Sequence, residues 1–285
     1  MTRTLVAGID LTTMGRRVAD RVRILAEDGD ATVQLVHVLE PVGEAMIGPG
    51  LARLIREHAT NEAKKIADWV RGRTDVEVKL EVVKGSPAWE LASRAKKADL
   101  ILLGSSTVDA FAAGPTTRRV AHMALSDVLV VRRQPRVPYR RIIAAVDFSE
   151  SSRVAVESAL SMGSEAEVTV LYSLPSHFDS LLADAGLFRE EMDASRGERL
   201  ELARDRMLEF TQEWNGKVHT MVADGPPAET IDESVRRRSA DLVVVGSRGA
   251  TATRMVLLGN VAEGLVDNAP CDVLIARAPA NFRRP

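Results

Sequence analysis

A set of glycines near the end of the sequence has the spacing of a phosphate-binding loop. Gly246 and Gly249 are separated by two residues, and Gly259 follows after nine more, directly before Asn260. Glycine lets the backbone turn with positive φ and approach an anion closely, while backbone N–H groups and a helix N-terminus attract the anion. The spacing therefore predicts a site for a phosphorylated ligand, although two glycines alone would indicate only a strand-to-helix turn.

Two aspartates are the next candidates for chemistry, because each follows an apolar run. Asp10 and Asp147 could bind a ligand or cap the helix that follows, and the two roles can coexist. Neither has the second acidic neighbour that a phosphate-accepting receiver needs, and there is no Gly-x4-Gly-Lys-Ser/Thr motif. The five histidines lack metal-ligand spacing, so we predict no metal site and no catalytic set.

These residues recur because the chain repeats itself at an offset of about 137 to 145 residues. Thr4 to Asp10 matches Arg141 to Asp147, and Ala98 to Ser105 matches Ala240 to Ser247. Three further motifs match in the same order. Five ordered matches indicate two copies of one domain in tandem.

Each copy alternates short runs of Val, Ile and Leu with helical stretches, which is typical of parallel strands buried on both faces. In the second copy we expect strands near 141–146, 167–173, 217–223, 241–246 and 272–277, and helices near 150–162, 190–213, 227–238 and 259–268. The predicted fold class is α/β, with two tandem doubly wound parallel-sheet domains of the flavodoxin-like, five-stranded type and a crevice beside the first strand. The first domain is assigned to 1–137 and the second to 138–285, with a proline-containing linker at 132–139.

Composition narrows the function classes. The 285 residues are 45% hydrophobic and 27% charged, and no apolar run approaches the ~20 residues of a spanning helix. The first 137 residues carry 21 basic and 17 acidic side chains, and the remainder carry 17 and 23. Without a dense basic stripe we expect no nucleic-acid partner, and without a leader we expect a cytoplasmic protein with no membrane contact. The single cysteine, Cys271, is expected to be a buried thiol.

The second copy resembles the universal stress protein family, whose ATP-binding members carry Gly-x2-Gly-x9-Gly followed by Ser or Thr. Asp147-Phe148-Ser149 and the segment 269–274 also look like the family. The resemblance implies a cytoplasmic stress-response protein that binds ATP, with Asp147 near the adenosine and Ser173 in the adenine pocket. The residues that it assigns to ATP are Ala145, Asp147, Ser149, Ser173, Val245, Gly246, Arg248, Gly249, Gly259, Asn260 and Val261.

Two departures from the family pattern limit this expectation. Asn260 stands where the family usually has a hydroxyl, although its amide can still donate a hydrogen bond. In the first copy, Gly104 is followed by Ser105-Ser106-Thr107 without a second glycine, and only six residues separate Thr107 from Gly114. We therefore expect a degenerate loop in the first copy and one ATP site per chain.

Three functions stay open at this point. The first is regulatory ATP binding in the second domain, with or without Mg²⁺. The second is a scaffold or interaction protein with vestigial sites, whose twin domains form an intrachain pseudo-dimer. A slow ATPase ranks third, because no general base is evident in the sequence. The choice between AMP and ATP, and homodimer formation by the whole chain, are also left open.

Overall fold

The structure is a computed structural model that describes residues 3–27, 31–41, 44–105, 113–174, 189–247 and 258–277. The chain divides into two compact units. Unit 1 comprises residues 1–138 and the chain from Val266 onward, and unit 2 comprises Tyr139–Leu265. The compact units are thus not identical with the sequence copies, because the segment from Val266 onward groups with unit 1.

Strands and helices alternate along the described chain. The first part contains β1 (Arg3–Gly8), α1 (Thr13–Ala26), β2 (Ala31–Leu39), α2 (Glu44–Arg71), β3 (Glu77–Lys84), α3 (Pro87–Ala95), β4 (Leu100–Gly104), α4 (Pro115–Met123) and β5 (Asp127–Val131). The second part contains β6 (Arg141–Val146), α5 (Glu150–Ser161), β7 (Glu167–Leu174), α6 (Arg189–Thr211), a 3-10 turn (Gln212–Trp214), β8 (His219–Asp224), α7 (Pro227–Arg238), β9 (Leu242–Gly246), α8 (Asn260–Asn268) and β10 (Asp272–Ala276).

The strands of unit 1 form a sheet in the order β3-β2-β1-β4-β5-β10. The first five are parallel, and β10 pairs antiparallel with β5. Leu5, Ile101 and Leu129, on three of the parallel strands, have no exposed surface. Helices on both faces of a parallel sheet bury such runs, which is why these strands are continuously apolar.

The strands of unit 2 are ordered β8-β7-β6-β9, and all are parallel. The chain moves outward from β6 through β7 to β8 and then returns to pair β9 on the other side of β6. This reversal is a topological switch point, where ligands of open α/β sheets bind beyond the carboxyl ends of the strands.

The predicted α/β class with alternating strands and helices is confirmed, and the strands of the second copy begin or end within two residues of their predicted positions. The parallel order 3-2-1-4-5 of unit 1 differs in detail from the flavodoxin order 2-1-3-4-5. Both orders reverse beside the first strand, so the crevice lies where the sequence predicts it. Cys271 is fully buried, as expected. No helix of the described chain is long and apolar enough to cross a membrane.

Candidate nucleotide-binding site

The predicted site residues of unit 2 that the structure describes lie at the carboxyl edge of the sheet. Ala145 on β6 is in register with Val245 on β9, and each side chain is almost completely buried. Ser173 lies near the end of β7, where its hydroxyl donates a 2.6 Å hydrogen bond to the Gly225 carbonyl. The Ser173 hydroxyl proton is therefore used inside the protein, between β7 and the turn after β8.

Asp147 leaves β6 and organises the start of α5. Its Oδ1 accepts the Ser152 hydroxyl at 2.6 Å and the Ser149 amide at 3.1 Å. The Ser149 hydroxyl in turn accepts the Ser152 amide and caps the helix. The alternative that this aspartate helps to cap the next helix is therefore realised, with one carboxylate oxygen engaged in the turn.

Phe148, which lies between Asp147 and Ser149, has a backbone conformation that large side chains rarely adopt. Its φ is 65°, in the left-handed region. Its ring centroid lies 4.4 Å from that of Tyr172 and 5.5 Å from that of Phe210. The Arg206 guanidinium lies 4.7 Å from the Phe148 ring centroid. Aromatic packing holds this strained turn and so fixes the direction of Asp147.

Tyr172 is the ionisable member of this aromatic group. Burial raises the pKa of its phenol, while the nearby Arg206 charge opposes the shift and Asp147 adds to it. The phenol therefore stays protonated at neutral pH and remains able to donate a hydrogen bond.

Gly246 ends β9, where helix α5 packs directly against the strand. A Cβ at this position would lie 2.6 Å from Ser151 Oγ and 2.8 Å from the Ser151 carbonyl oxygen. The need for glycine here comes from this close approach of two protein segments. Gly104 has the same cause in unit 1, where a Cβ would lie 2.3 Å from Met14 Cγ.

The glycine motif is closed at its base by a backbone hydrogen bond. The Gly259 amide donates to the Ser247 carbonyl at 2.9 Å, which brings the N-terminus of α8 to the end of β9. Gly259 then accepts the Glu263 amide, so Asn260 and Val261 form the first turn of α8. Asn260 is exposed. Arg248 and Gly249, also predicted to bind ATP, lie outside the described residues.

A comparison with protein-family models now decides the family. The universal stress protein family model matches residues 1–132 and again residues 138–277. The chain belongs to the universal stress protein family. This universal stress protein thus carries two family domains in tandem, as the internal repeat predicts.

Relatives of this universal stress protein agree with that assignment. One from Methanocaldococcus jannaschii is 34% identical over 146 residues, which cover 50% of this chain and 84% of the relative. Another, from Mycolicibacterium smegmatis, is 26% identical over 265 residues and covers 87% of this chain and 88% of its own. A universal stress protein structure from Archaeoglobus fulgidus matches with a TM-score of 0.73 at 16% identity, over 98% of this chain and 97% of that one. This last match supports the fold alone.

The structure adds residues to the site that the sequence did not indicate. Ser152 bonds the Asp147 carboxylate, and Ser151 fills the space above Gly246. Ser149 is a favoured N-cap residue type ahead of a helical stretch, so it indicates where α5 starts and places Ser152 in its first turn. No comparable signal marks Ser151, because its contact depends on how closely α5 approaches β9.

Proposed function

We propose that unit 2 of this universal stress protein binds ATP as a regulatory ligand. The observation that carries the proposal is the glycine motif, whose base is closed by the Ser247–Gly259 hydrogen bond beside the switch point. The first intrahelical bond of α8 runs from Glu263 to Gly259, so the amides of Asn260 and Val261 have no acceptor within the helix. Such first-turn amides suit a phosphate.

The remaining residues fit the other end of a nucleotide. Ala145 and Val245 supply apolar surface, and the Asp147 turn is fixed by Ser149 and by aromatic packing. We propose that Mg²⁺ arrives with the ligand, since this ion usually keeps waters and phosphate oxygens as most of its ligands. Among the described residues no group of three His, Cys, Asp or Glu side chains is arranged to hold a metal ion.

The scaffold function is the second candidate, and specific contacts favour it. The Ser173 hydroxyl donates its hydrogen bond to the Gly225 carbonyl and not to a ligand. Gly246 is required by its packing against Ser151 whether or not a phosphate binds. Asn260 replaces the hydroxyl of the family's ATP-binding members. A protein with a vestigial site would retain the first two contacts for stability alone.

Nucleotide released from freshly purified protein separates the two candidates. The full chain is denatured, and the supernatant is analysed by chromatography and mass spectrometry. ATP or another adenine nucleotide in near-stoichiometric amount supports the ligand proposal and also identifies the number of phosphates. If no nucleotide is released, and the nucleotide-free protein shows no thermal shift with millimolar MgATP, the scaffold function is the better account.

A further inference from the structure

Helix α8 belongs to both compact units of the chain. Its first turn lies in unit 2, where the amides of Asn260 and Val261 form the phosphate end of the proposed site, whereas the chain from Val266 onward belongs to unit 1. A helix of nine residues is roughly 13–14 Å long and moves as one body, because each turn is hydrogen-bonded to the next. Contacts that fix its last turn therefore also fix where its first turn lies.

Two consecutive arginines that follow β5 bind this last turn. The buried guanidinium of Arg132 donates a hydrogen bond to the Val266 carbonyl, one of the last four carbonyls of α8, which receive no hydrogen bond within the helix. The Arg133 guanidinium donates to the Pro270 carbonyl at 2.7 Å. The amides of both arginines donate to the Asp272 carboxylate, at 2.8 and 3.1 Å. The two residues thus bind the end of α8 and the turn that leads into β10.

Charge strengthens the contact between Arg132 and α8. A guanidinium forms a stronger hydrogen bond than a neutral donor, and a cation at the C-terminus of a helix is favoured by the helix dipole. A second cation lies close by, since Arg118 Nε on α4 is 2.8 Å from Asp267 Oδ1 on α8. All of these contacts lie within unit 1.

The second copy makes the same contact with the first. Arg277, which follows β10 as Arg132 follows β5, donates through its guanidinium to the Ala121 carbonyl. Ala121 lies in the last turn of α4, at the position that Val266 has in α8. Each copy thus supplies one arginine that binds the last helix of the other copy.

The two helices begin in the same way but follow different loops. The Arg118 amide donates to the Gly114 carbonyl at 3.0 Å in α4, and the Glu263 amide donates to the Gly259 carbonyl at 2.9 Å in α8. Only α8 follows the complete glycine spacing, so only its position bears on the proposed ATP site. The arginine that binds α4 is therefore a built-in control for the arginine that binds α8.

We propose that Arg132, a residue of the first copy, is a positioning residue for the ATP site of the second copy. It acts through α8 and not on the ligand: by fixing the last turn of the helix, it holds the amides of Asn260 and Val261 where the phosphates bind. The inference rests on the proposed function. It also gives the tandem arrangement a role, because the site of one copy then depends on a residue of the other.

The first test measures MgATP binding to nucleotide-free full-length variants by calorimetry. Arg132→Gln is expected to weaken ATP binding ~3–10-fold, whereas Arg277→Gln is expected to change it less than ~2-fold. Arg132→Lys keeps the charge but loses the planar fork of donors, so its ATP affinity should lie between those of the parent protein and Arg132→Gln.

The second test needs no ligand and follows amide hydrogen exchange at the start of each helix. In Arg132→Gln the Glu263 amide should exchange at least ~5-fold faster, with the Arg118 amide unchanged. Arg277→Gln should have the opposite effect. If the arginines only stabilised the unit as a whole, each variant would accelerate both amides equally.

The inference would be overturned if Arg132→Gln bound ATP as tightly as the parent protein, or if both glutamine variants lost the same affinity. Equal acceleration of the Glu263 and Arg118 amides would also overturn it. Should a glutamine variant fail to fold, Arg132→Lys and Arg277→Lys carry both comparisons, with smaller effects of the same sign. If the parent protein binds no ATP, the proposed function fails, and exchange of the Glu263 amide still decides whether Arg132 positions α8.

Discussion

At Gly246 the position of a single Cβ decides how β9 meets α5. Because that atom would lie 2.8 Å from the Ser151 carbonyl oxygen, Gly246→Ala forces the strand and the helix apart. We expect a loss of roughly 1–3 kcal/mol in the free energy of unfolding, as for other overpacked sites. Urea denaturation of the nucleotide-free protein measures it.

Gly264 provides the matched control, since it lies within α8 and a Cβ there would meet nothing within 4 Å. Gly264→Ala is expected to stabilise the protein by about 0.5–1 kcal/mol, because alanine favours helix more than glycine does. If Gly246→Ala left the free energy of unfolding unchanged, the close approach to Ser151 would not explain why glycine is needed there. Ligand binding would then be the better explanation.

Asn260 allows the phosphate end of the proposed site to be tested without harming the fold. It is exposed in the first turn of α8, where a negative side chain favours the helix dipole but repels phosphate. Asn260→Asp should therefore leave the nucleotide-free melting temperature unchanged or slightly raised and weaken ATP binding ~10-fold or more. Thermal melts with and without MgATP measure both effects.

The same chemical change at Asn215, in an exposed turn of unit 2, serves as its control. Asn215→Asp alters the net charge equally and is expected to leave ATP binding as it is. Equal ATP affinity in Asn260→Asp and the parent protein would remove the first turn of α8 from the proposed site.

At the scale of elements, strands β5 and β10 of unit 1 are joined by two equivalent hydrogen bonds, each from a backbone amide to an aspartate carboxylate. The Asp272 carboxylate accepts the Arg132 amide at 2.8 Å, and the Asp127 carboxylate accepts the Arg277 amide at 2.8 Å. Each aspartate opens its own strand and receives an amide that follows the other strand. This reciprocal arrangement terminates the antiparallel pair at both ends.

Asp272 has an additional role, because it is buried and lies 3.3 Å from the buried guanidinium of Arg21. Asp272→Asn removes the negative charge from this buried pair, so we expect a loss of about 3–5 kcal/mol in the free energy of unfolding. Asp127→Asn, at a half-buried site, should cost only about 1 kcal/mol. Chemical denaturation of the two variants compares them, and equal losses would contradict a special role for the Arg21–Asp272 pair.

Strands and helices could be predicted from the sequence because the short apolar runs of the strands are continuous and are separated from the helical stretches by turn residues such as glycine and proline. The exact end of a helix was harder to predict, as α6 shows. The predicted helix extends to residue 213, whereas the structure has a 3-10 turn over 212–214 that buries Trp214. The glycine motif and Asp147 were identifiable as a pattern. The strained Phe148 turn and the Gly246–Ser151 contact were not, because they arise only when distant segments pack.

For the whole molecule, the two copies of one domain differ in sequence after the second strand and at the start of the last helix of each copy. The first copy has Glu40 and Pro115 where the second has Pro175 and Asn260. The strand framework of the switch point is common to both. In a tandem family member of this kind, the fold can be kept by the buried strands while other residues of the two copies diverge.

The last expectation concerns how much ATP the whole chain binds and what that does to its stability. Only the second copy carries the complete glycine spacing, so calorimetry should give one MgATP per chain. A ligand present at ~100 times its dissociation constant stabilises the folded state by about 2.7 kcal/mol, which for a unit of this size is a rise of roughly 5–10 °C in melting temperature. Adenosine in excess is the control, because it lacks the phosphates that the first turn of α8 would bind and should give a smaller rise. Two equal MgATP sites per chain would show that the loop after Gly104 binds phosphates although it lacks the second glycine.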